Sequence, residues 1–123
     1  MLAGALGAGM LLLSGKRATA KNLGIKLEKV PALQKVGGSA KLKLEGQEIL
    51  FIRDSDTSVR ALSALCTHQE CPVTYDSKKG KIECSCHGSF FDLNGNATKG
   101  PAKKPLRAYP ATLKDGSIVV TVD

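Results

Sequence analysis

Cys66-Thr67-His68-Gln69-Glu70-Cys71 and Cys84-Ser85-Cys86-His87-Gly88-Ser89 together hold all four cysteines and both histidines of the chain, with only residues 72–83 between them. Thiol and imidazole side chains gathered this tightly point to a metal centre. Neither residue type occurs anywhere else, so a site made from such donors has to be made here.

Each stretch offers one thiolate and one imidazole at close spacing, Cys66-X-His68 and Cys84-X-X-His87, and then one further cysteine. Two sulfurs with two nitrogens suit tetrahedral zinc, or a [2Fe–2S] cluster that carries histidines on one iron. A metal-free disulfide framework is the third reading that cysteine counting leaves open. Zinc alone leaves two cysteines unexplained.

Outward from the two boxes the chain reads as strands. Ala40-Lys41-Leu42-Lys43-Leu44-Glu45 alternates apolar with basic residues, Glu48-Ile49-Leu50-Phe51-Ile52-Arg53 is a short apolar run, and Asp54-Ser55-Asp56-Thr57 is turn-like. Residues 59–65 make the next strand and deliver the chain into the first box, so Cys66 opens a loop at a strand end, where functional side chains usually sit. Ser77-Lys78-Lys79-Gly80 then turns the chain into Lys81-Ile82-Glu83, which carries the second box on a neighbouring strand. Leu93-Asn94-Gly95-Asn96 is another turn, and residues 107–113 and 117–122 form a last hairpin around Lys114-Asp115-Gly116. The expectation is all-β: antiparallel strands with the boxes at the tips of adjacent hairpins.

The first 20 residues differ in character. Residues 2–13 are uncharged and rich in Gly, Ala and Leu, and Lys16, Arg17 and Ala18-Thr19-Ala20 follow. This reads as an apolar helical signal or anchor segment over residues 1–15, then a basic linker over 16–30, then one domain over 31–123. The apolar run is shorter than the roughly 20 residues of a spanning helix. A cleaved secretory signal and the remainder of a longer signal anchor are the two explanations, and the missing charged n-region favours the anchor.

A chain of 123 residues allows a single core. The net charge is +7, with lysines on both sides of the boxes at positions 78, 79, 81, 99, 103 and 104. Such lysines guard exposed strand edges, or steer the molecule toward an acidic redox partner. Nucleic-acid binding is not expected, because aromatic residues are only 4% of the chain and none interleave with the basic ones as stacking platforms.

The boxes resemble the Cys-Thr-His-X-X-Cys and Cys-X-Cys-His-Gly-Ser signatures of the Rieske iron–sulfur proteins, in the disulfide-containing branch found in cytochrome bc and bf complexes. Gly100-Pro101-Ala102, followed by Pro105-Leu106, is similar to the family's third signature, a Gly-Pro loop beside the cluster. The resemblance implies the Rieske fold of stacked antiparallel sheets, with a [2Fe–2S] cluster as cofactor. It places Cys66 and Cys84 on one iron, His68 and His87 on the other, and bonds Cys71 to Cys86. It further implies coupled gain of an electron and a proton at the histidines, with quinol as donor and a cytochrome as acceptor. The partners would be cytochrome b and a c-type cytochrome of a complex in the cytoplasmic membrane, with the cluster domain on the extracytoplasmic side, where a disulfide persists.

Around the ligands, Ser89 stands at the family position whose hydroxyl bonds a cluster sulfide, and Phe91 stands where a tyrosine often bonds a ligand thiolate. Without that donor the expected potential is lower than in similar proteins with tyrosine, which suits menaquinol. Gln69 and Glu70 replace the leucine and glycine of the respiratory pattern, which puts weight on a different partner. The alternatives are therefore the small subunit of an arsenite-oxidase-like periplasmic molybdenum enzyme, or a non-redox zinc-binding module. A soluble ferredoxin of a ring dioxygenase is disfavoured by the extra cysteine pair and the export-like segment.

Overall fold

Ile49, Leu50, Phe51 and Ile52 are consecutive in the chain and all are buried, which a strand achieves only when both of its faces are covered. The computed structural model describes residues 20–68 and 70–123, and this strand lies at its middle. The expected apolar segment at residues 1–15 and the side chain of Gln69 lie outside the described residues.

Among the described residues eleven strands follow in chain order: β1 (Lys21–Lys26), β2 (Ser39–Leu44), β3 (Gln47–Arg53), β4 (Val59–Ser63), β5 (Val73–Asp76), β6 (Lys81–Cys84), β7 (Phe90–Phe91), β8 (Ala97–Lys99), β9 (Ala108–Tyr109), β10 (Ala111–Lys114) and β11 (Ser117–Val122). Two short 3₁₀ turns, Leu27–Lys29 and Pro31–Gln34, join β1 to β2. The strands form three antiparallel sheets, in the orders β9-β4-β3-β2, β10-β11-β1 and β5-β6-β7-β8.

The first sheet is the central layer. Alternate residues of β3 and β4 point to opposite sides. Ile49, Phe51, Val59 and Ala61 meet Ile118, Val120 and Val122 of β11, with Leu33 and Tyr109 completing that core. Leu50, Ile52, Leu62 and Ala64 instead meet Val73, Ile82, Cys84 and Phe91 of the third sheet. The two loops that carry the cysteines and histidines thus rest on a core of their own, and Cys66 and Cys84 are part of it. Each fully buried Leu, Ile or Phe contributes roughly 1.5–3 kcal/mol of transfer free energy, so the loops stand on a firm base.

The hairpin turns carry the residues their geometry needs. Glu45-Gly46 and Asp115-Gly116 each place two successive residues at positive φ, the type I′ pattern that matches strand twist. Gly95 is required for a different reason. A Cβ there would lie 2.7 Å from the carbonyl oxygen of Leu106, whose N–H donates to the Gly95 carbonyl at 2.7 Å. That close approach pins residues 100–106 against the turn before β8.

The chain departs from the sequence expectations at two places. The described part of the expected linker, from residue 20 on, contains β1, which pairs with β11 over its whole length from Lys26↔Ser117 to Lys21↔Val122. Only Leu23 and Ile25 are apolar at the alternating positions, and Gly24 lies between them, so the partner strand supplies what local preference lacks. The expected strand over 107–113 is also two strands: β9 pairs with β4, and β10 pairs with β11. The change of sheet falls at Pro110, which has no N–H for a ladder, while its carbonyl accepts the N–H of Thr121 at 2.9 Å.

Candidate metal centre

β4 hands the chain to the first loop. Ala64 donates to the Glu48 carbonyl at 2.8 Å, and a bridge between Leu65 and Pro72 closes the neck of the loop. Inside it, the Cys66 N–H donates to the Cys71 carbonyl and the Glu70 N–H to the Cys66 carbonyl, both at 2.7 Å. Glu70 takes a positive φ of 56° to make this turn. The second loop leaves from the end of β6. The Cys84 N–H donates to the Ser89 carbonyl at 2.8 Å, and the Gly88 N–H, at φ 73°, donates to the Cys84 carbonyl at 3.1 Å.

Each loop therefore holds its own shape by backbone hydrogen bonds, and side chains tie the loops together. Cys71 and Cys86 form a disulfide with Cα atoms 6.2 Å apart. Thr67 donates its hydroxyl to the Lys104 carbonyl at 2.8 Å, joining the first loop to the third. Ser89, completely buried, accepts the Ala102 N–H on its Oγ at 3.0 Å, joining the second loop to the third just after the cis Gly100–Pro101 bond. That leaves the Ser89 hydroxyl proton able to donate. The sequence signals for these two ties are a hydroxyl residue in each box, which reading by spacing alone passes over in the case of Thr67.

The donors sort by depth. Cys66 and Cys84 are thiols with 1% and 2% exposure, whereas His68 and His87 are exposed at the tip. The two imidazole rings stand 5.2 Å apart, centroid to centroid, at 84°. Two imidazoles bound to one tetrahedral ion through nitrogens about 2.0 Å away would have centroids about 5 Å apart, a separation this pair matches. The Cys66 sulfur receives the backbone N–H of His68 at 3.4 Å. The sulfurs of Cys71, Cys84 and Cys86 also lie within 4.8 Å of one another. Two of these three are bonded together and offer no thiolate, so that grouping marks the closeness of the disulfide to Cys84. Phe91 is fully buried in the same core as both thiols.

Two buried thiols below two exposed imidazoles fit a [2Fe–2S] cluster whose irons differ in their ligands. Comparison with known proteins decides between this and zinc. The family model described as the Rieske [2Fe–2S] domain matches residues 25–110. The chain belongs to the Rieske [2Fe–2S] domain family. Its cofactor is accordingly a Rieske-type [2Fe–2S] cluster, and the zinc and metal-free readings fall away. Among curated proteins, the cytochrome b6-f complex iron-sulfur subunit of Chlorobaculum tepidum is 33% identical over 92 residues, covering 75% of this chain and 51% of that protein. The subunit of the same name from Gloeobacter violaceus is 36% identical over 82 residues, covering 64% and 44%. The chain thus spans about half the length of the curated relatives it matches.

Solved structures share the fold. The ferredoxin of carbazole 1,9a-dioxygenase from Nocardioides aromaticivorans IC177 superposes with a TM-score of 0.67 at 30% identity, covering 81% of this chain and 96% of its own. The plasma membrane Rieske protein of Synechocystis PCC 6803 gives 0.66 at 27% identity, covering 81% and 97%. The all-β expectation with stacked antiparallel sheets holds. Among the described residues no helix is long and apolar enough to cross a membrane.

Proposed function

We propose that the chain is the Rieske electron-transfer subunit of a quinol:cytochrome c oxidoreductase of the bc type. In this reading Cys66 and Cys84 ligate one iron of the cluster, and His68 and His87 ligate the other. The observation that carries it is the Cys71–Cys86 disulfide between the two loops, taken together with relatives named as cytochrome b6-f iron-sulfur subunits. When bound, the cluster supplies one-electron redox chemistry at a potential that, for Rieske centres, falls between about −150 and +300 mV.

The chain's residues supply the rest. His68 and His87 present their rings to solvent, so an imidazole can accept a hydrogen bond from a quinol hydroxyl and take its proton. Burial of Cys66 and Cys84 keeps water from the thiolates, and the His68 N–H offsets part of the Cys66 charge. The Ser89 hydroxyl, held by Ala102, is available to donate toward added negative charge. The buried Phe91 brings no hydroxyl, which favours a low-potential donor such as menaquinol over a high-potential quinol. A disulfide so near the tip requires an oxidising compartment, which supports a cluster domain outside the cytoplasm and a membrane-bound complex with cytochrome b and a c-type cytochrome.

The test is EPR of the dithionite-reduced protein purified from membranes with its partners attached. A rhombic signal with average g below that of all-cysteine ferredoxins, co-purifying with a cytochrome b, is the expected result. The same signal with a molybdenum subunit would move the protein to the small-subunit role, for which the exposed Glu70 beside the tip is the supporting feature. An EPR-silent sample containing zinc would refute the redox reading. His68→Ala and His87→Ala should each abolish the rhombic signal, and its survival would refute the ligand assignment.

A further inference from the structure

The outer face of the third sheet carries an unusual pairing. Glu83 lies opposite Phe90 and Phe90 opposite Lys99, so these side chains share one face, and Lys81 joins them two residues before Glu83. The Lys81 ammonium stands 5.1 Å from the centroid of the Phe90 ring, and the Lys99 ammonium 5.0 Å from the same centroid. Two cations are thus drawn to one ring. Cation–π attraction of this kind holds each by about 0.5–1 kcal/mol at an exposed site, while their mutual repulsion works the other way. Around them runs a groove of about 480 Å³ lined by Lys79, Lys81, Phe90, Asp92, Thr98 and Lys99.

Asp76 and Asp92 direct their carboxylates to turn backbone rather than pairing with these lysines. Asp76 accepts the backbone N–H groups of Lys78 and Lys79, at 3.0 and 3.2 Å. Asp92 accepts those of Asn94 and Asn96, both at 2.9 Å. Burial alone would raise the Asp92 carboxyl, but donors from Asn96, Asn94 and Gly95 hold it below its ordinary value. Both carboxylates are thereby committed to turns. Glu83 shares the face, yet among the described residues no ion pair joins any carboxylate to Lys79, Lys81 or Lys99. Lysines that guard a sheet edge project past the strand. Here they bend over the face, where an arriving anion would relieve the repulsion between them.

The groove is also wired to the metal loops. β6 runs from Lys81 to Cys84, about 10 Å at roughly 3.3 Å per residue. Phe90 follows Ser89 of the second box, and Lys99 precedes the Gly100–Pro101 bond of the third loop. We propose that the Lys79–Lys81–Phe90–Lys99 groove is the docking site for an acidic face of the protein that exchanges electrons with this centre. The proposal rests on the redox reading above and names the chemistry of the partner that reading requires. The carboxylates of that partner enter between the ammonium groups, and Phe90 supplies the apolar floor.

The experiment uses the reduced full-length holoprotein, mixed in stopped flow with an acidic c-type cytochrome and, separately, with a basic one. Lys81→Gln/Lys99→Gln should slow oxidation by the acidic cytochrome about tenfold at low salt and flatten its ionic-strength dependence, leaving the basic one no slower. The control is Lys41→Gln/Lys43→Gln at exposed positions of β2, which removes the same charge from the edge strand of a different sheet. An equal slowing in groove and control variants would overturn the proposal, since overall charge would then explain it. So would loss of binding to phosphatidylglycerol vesicles with unchanged cytochrome kinetics, which would make the groove a lipid site. Calorimetric binding of the acidic cytochrome does not require electron movement. Lysine-dependent binding by a sample without the rhombic EPR signal would keep the docking site and refute the redox reading instead.

Discussion

Replacing Cys71 and Cys86 together by alanine removes the one covalent tie between the first and second loops. The bond closes a segment with a sequence separation of 15. In the chain-entropy account, freeing a loop of that size returns about 3 kcal/mol of disorder to the unfolded state. Small domains have only about 5–15 kcal/mol in hand, so this is a large fraction of the total. The native loops should keep their individual shapes, because the bonds from Cys66 to Cys71 and from Cys84 to Ser89 are backbone to backbone. Their mutual placement should loosen, since the Thr67 and Ser89 hydrogen bonds hold each loop to the third loop and not to each other. Urea unfolding of the cluster-free protein should therefore show a loss of about 3 kcal/mol, and the visible absorption of the holoprotein should bleach faster in air. Wild-type protein reduced with dithiothreitol should show the same loss, which separates the cross-link from the side chains. A change under about 1 kcal/mol with an unaltered bleaching rate would refute the clamp.

Three further outcomes follow from particular residues. Phe91→Tyr adds a hydroxyl in the core shared by Cys66 and Cys84; a hydrogen bond favouring the reduced state by about 1 kcal/mol would raise the midpoint potential by roughly 40 mV, and an unchanged or lower value in protein-film voltammetry would refute the missing-donor argument. Glu70→Gly relieves a side chain from positive φ that is not part of a hairpin turn and should stabilise the protein by about 1 kcal/mol, read as a higher denaturation midpoint with the EPR signal retained. Burial alone would raise the Asp54 carboxyl, but hydrogen bonds from Ser58 and Arg60 and the Arg60 charge hold it below its ordinary value. A carboxylate depressed in the folded state stabilises above its unfolded pKa, and that contribution disappears as pH falls through the folded value. Asp54→Asn should therefore cost about 1 kcal/mol at pH 7 and almost nothing in strong acid, as read from urea titrations at both pH values.

The acidic limb of stability has a second contributor. Arg107 meets Asp123 through two bonds, at 2.6 and 2.7 Å, and lies over the Tyr109 ring at 4.5 Å. The Arg107 guanidinium lowers the Asp123 carboxyl, so this contact also weakens as acid protonates it. Asp123 is solvent-exposed, and the effect on stability is correspondingly screened.

The two boxes made the donor set and the candidate cofactors legible without a structure, because metal chemistry depends on residue type and short spacing, which are local properties. The strands on either side were legible for a similar reason: Ile49 to Ile52 and the alternating Lys41 to Leu44 announce burial on two faces and on one. What local reading could not supply was partnership. β1 looks like a linker because Lys21, Asn22, Gly24 and Lys26 have little strand preference, and it exists because β11 offers an open edge. Residues 107–113 look like one strand, and they divide at Pro110 because two different sheets claim the two halves.

The same division runs through the site. Sequence by itself determined which residues could hold iron, since no other cysteine or histidine is available in the chain. Tertiary structure decided their arrangement: Cys66 and Cys84 sink into the core shared by the first and third sheets, His68 and His87 stay in solvent 5.2 Å apart, and Cys71 meets Cys86. It also decided that Lys81 and Lys99, eighteen residues apart in sequence, converge on one phenylalanine. Depth, convergence and pairing are properties of strands brought side by side by hydrogen-bond register and shared burial, and no short window of sequence contains both partners.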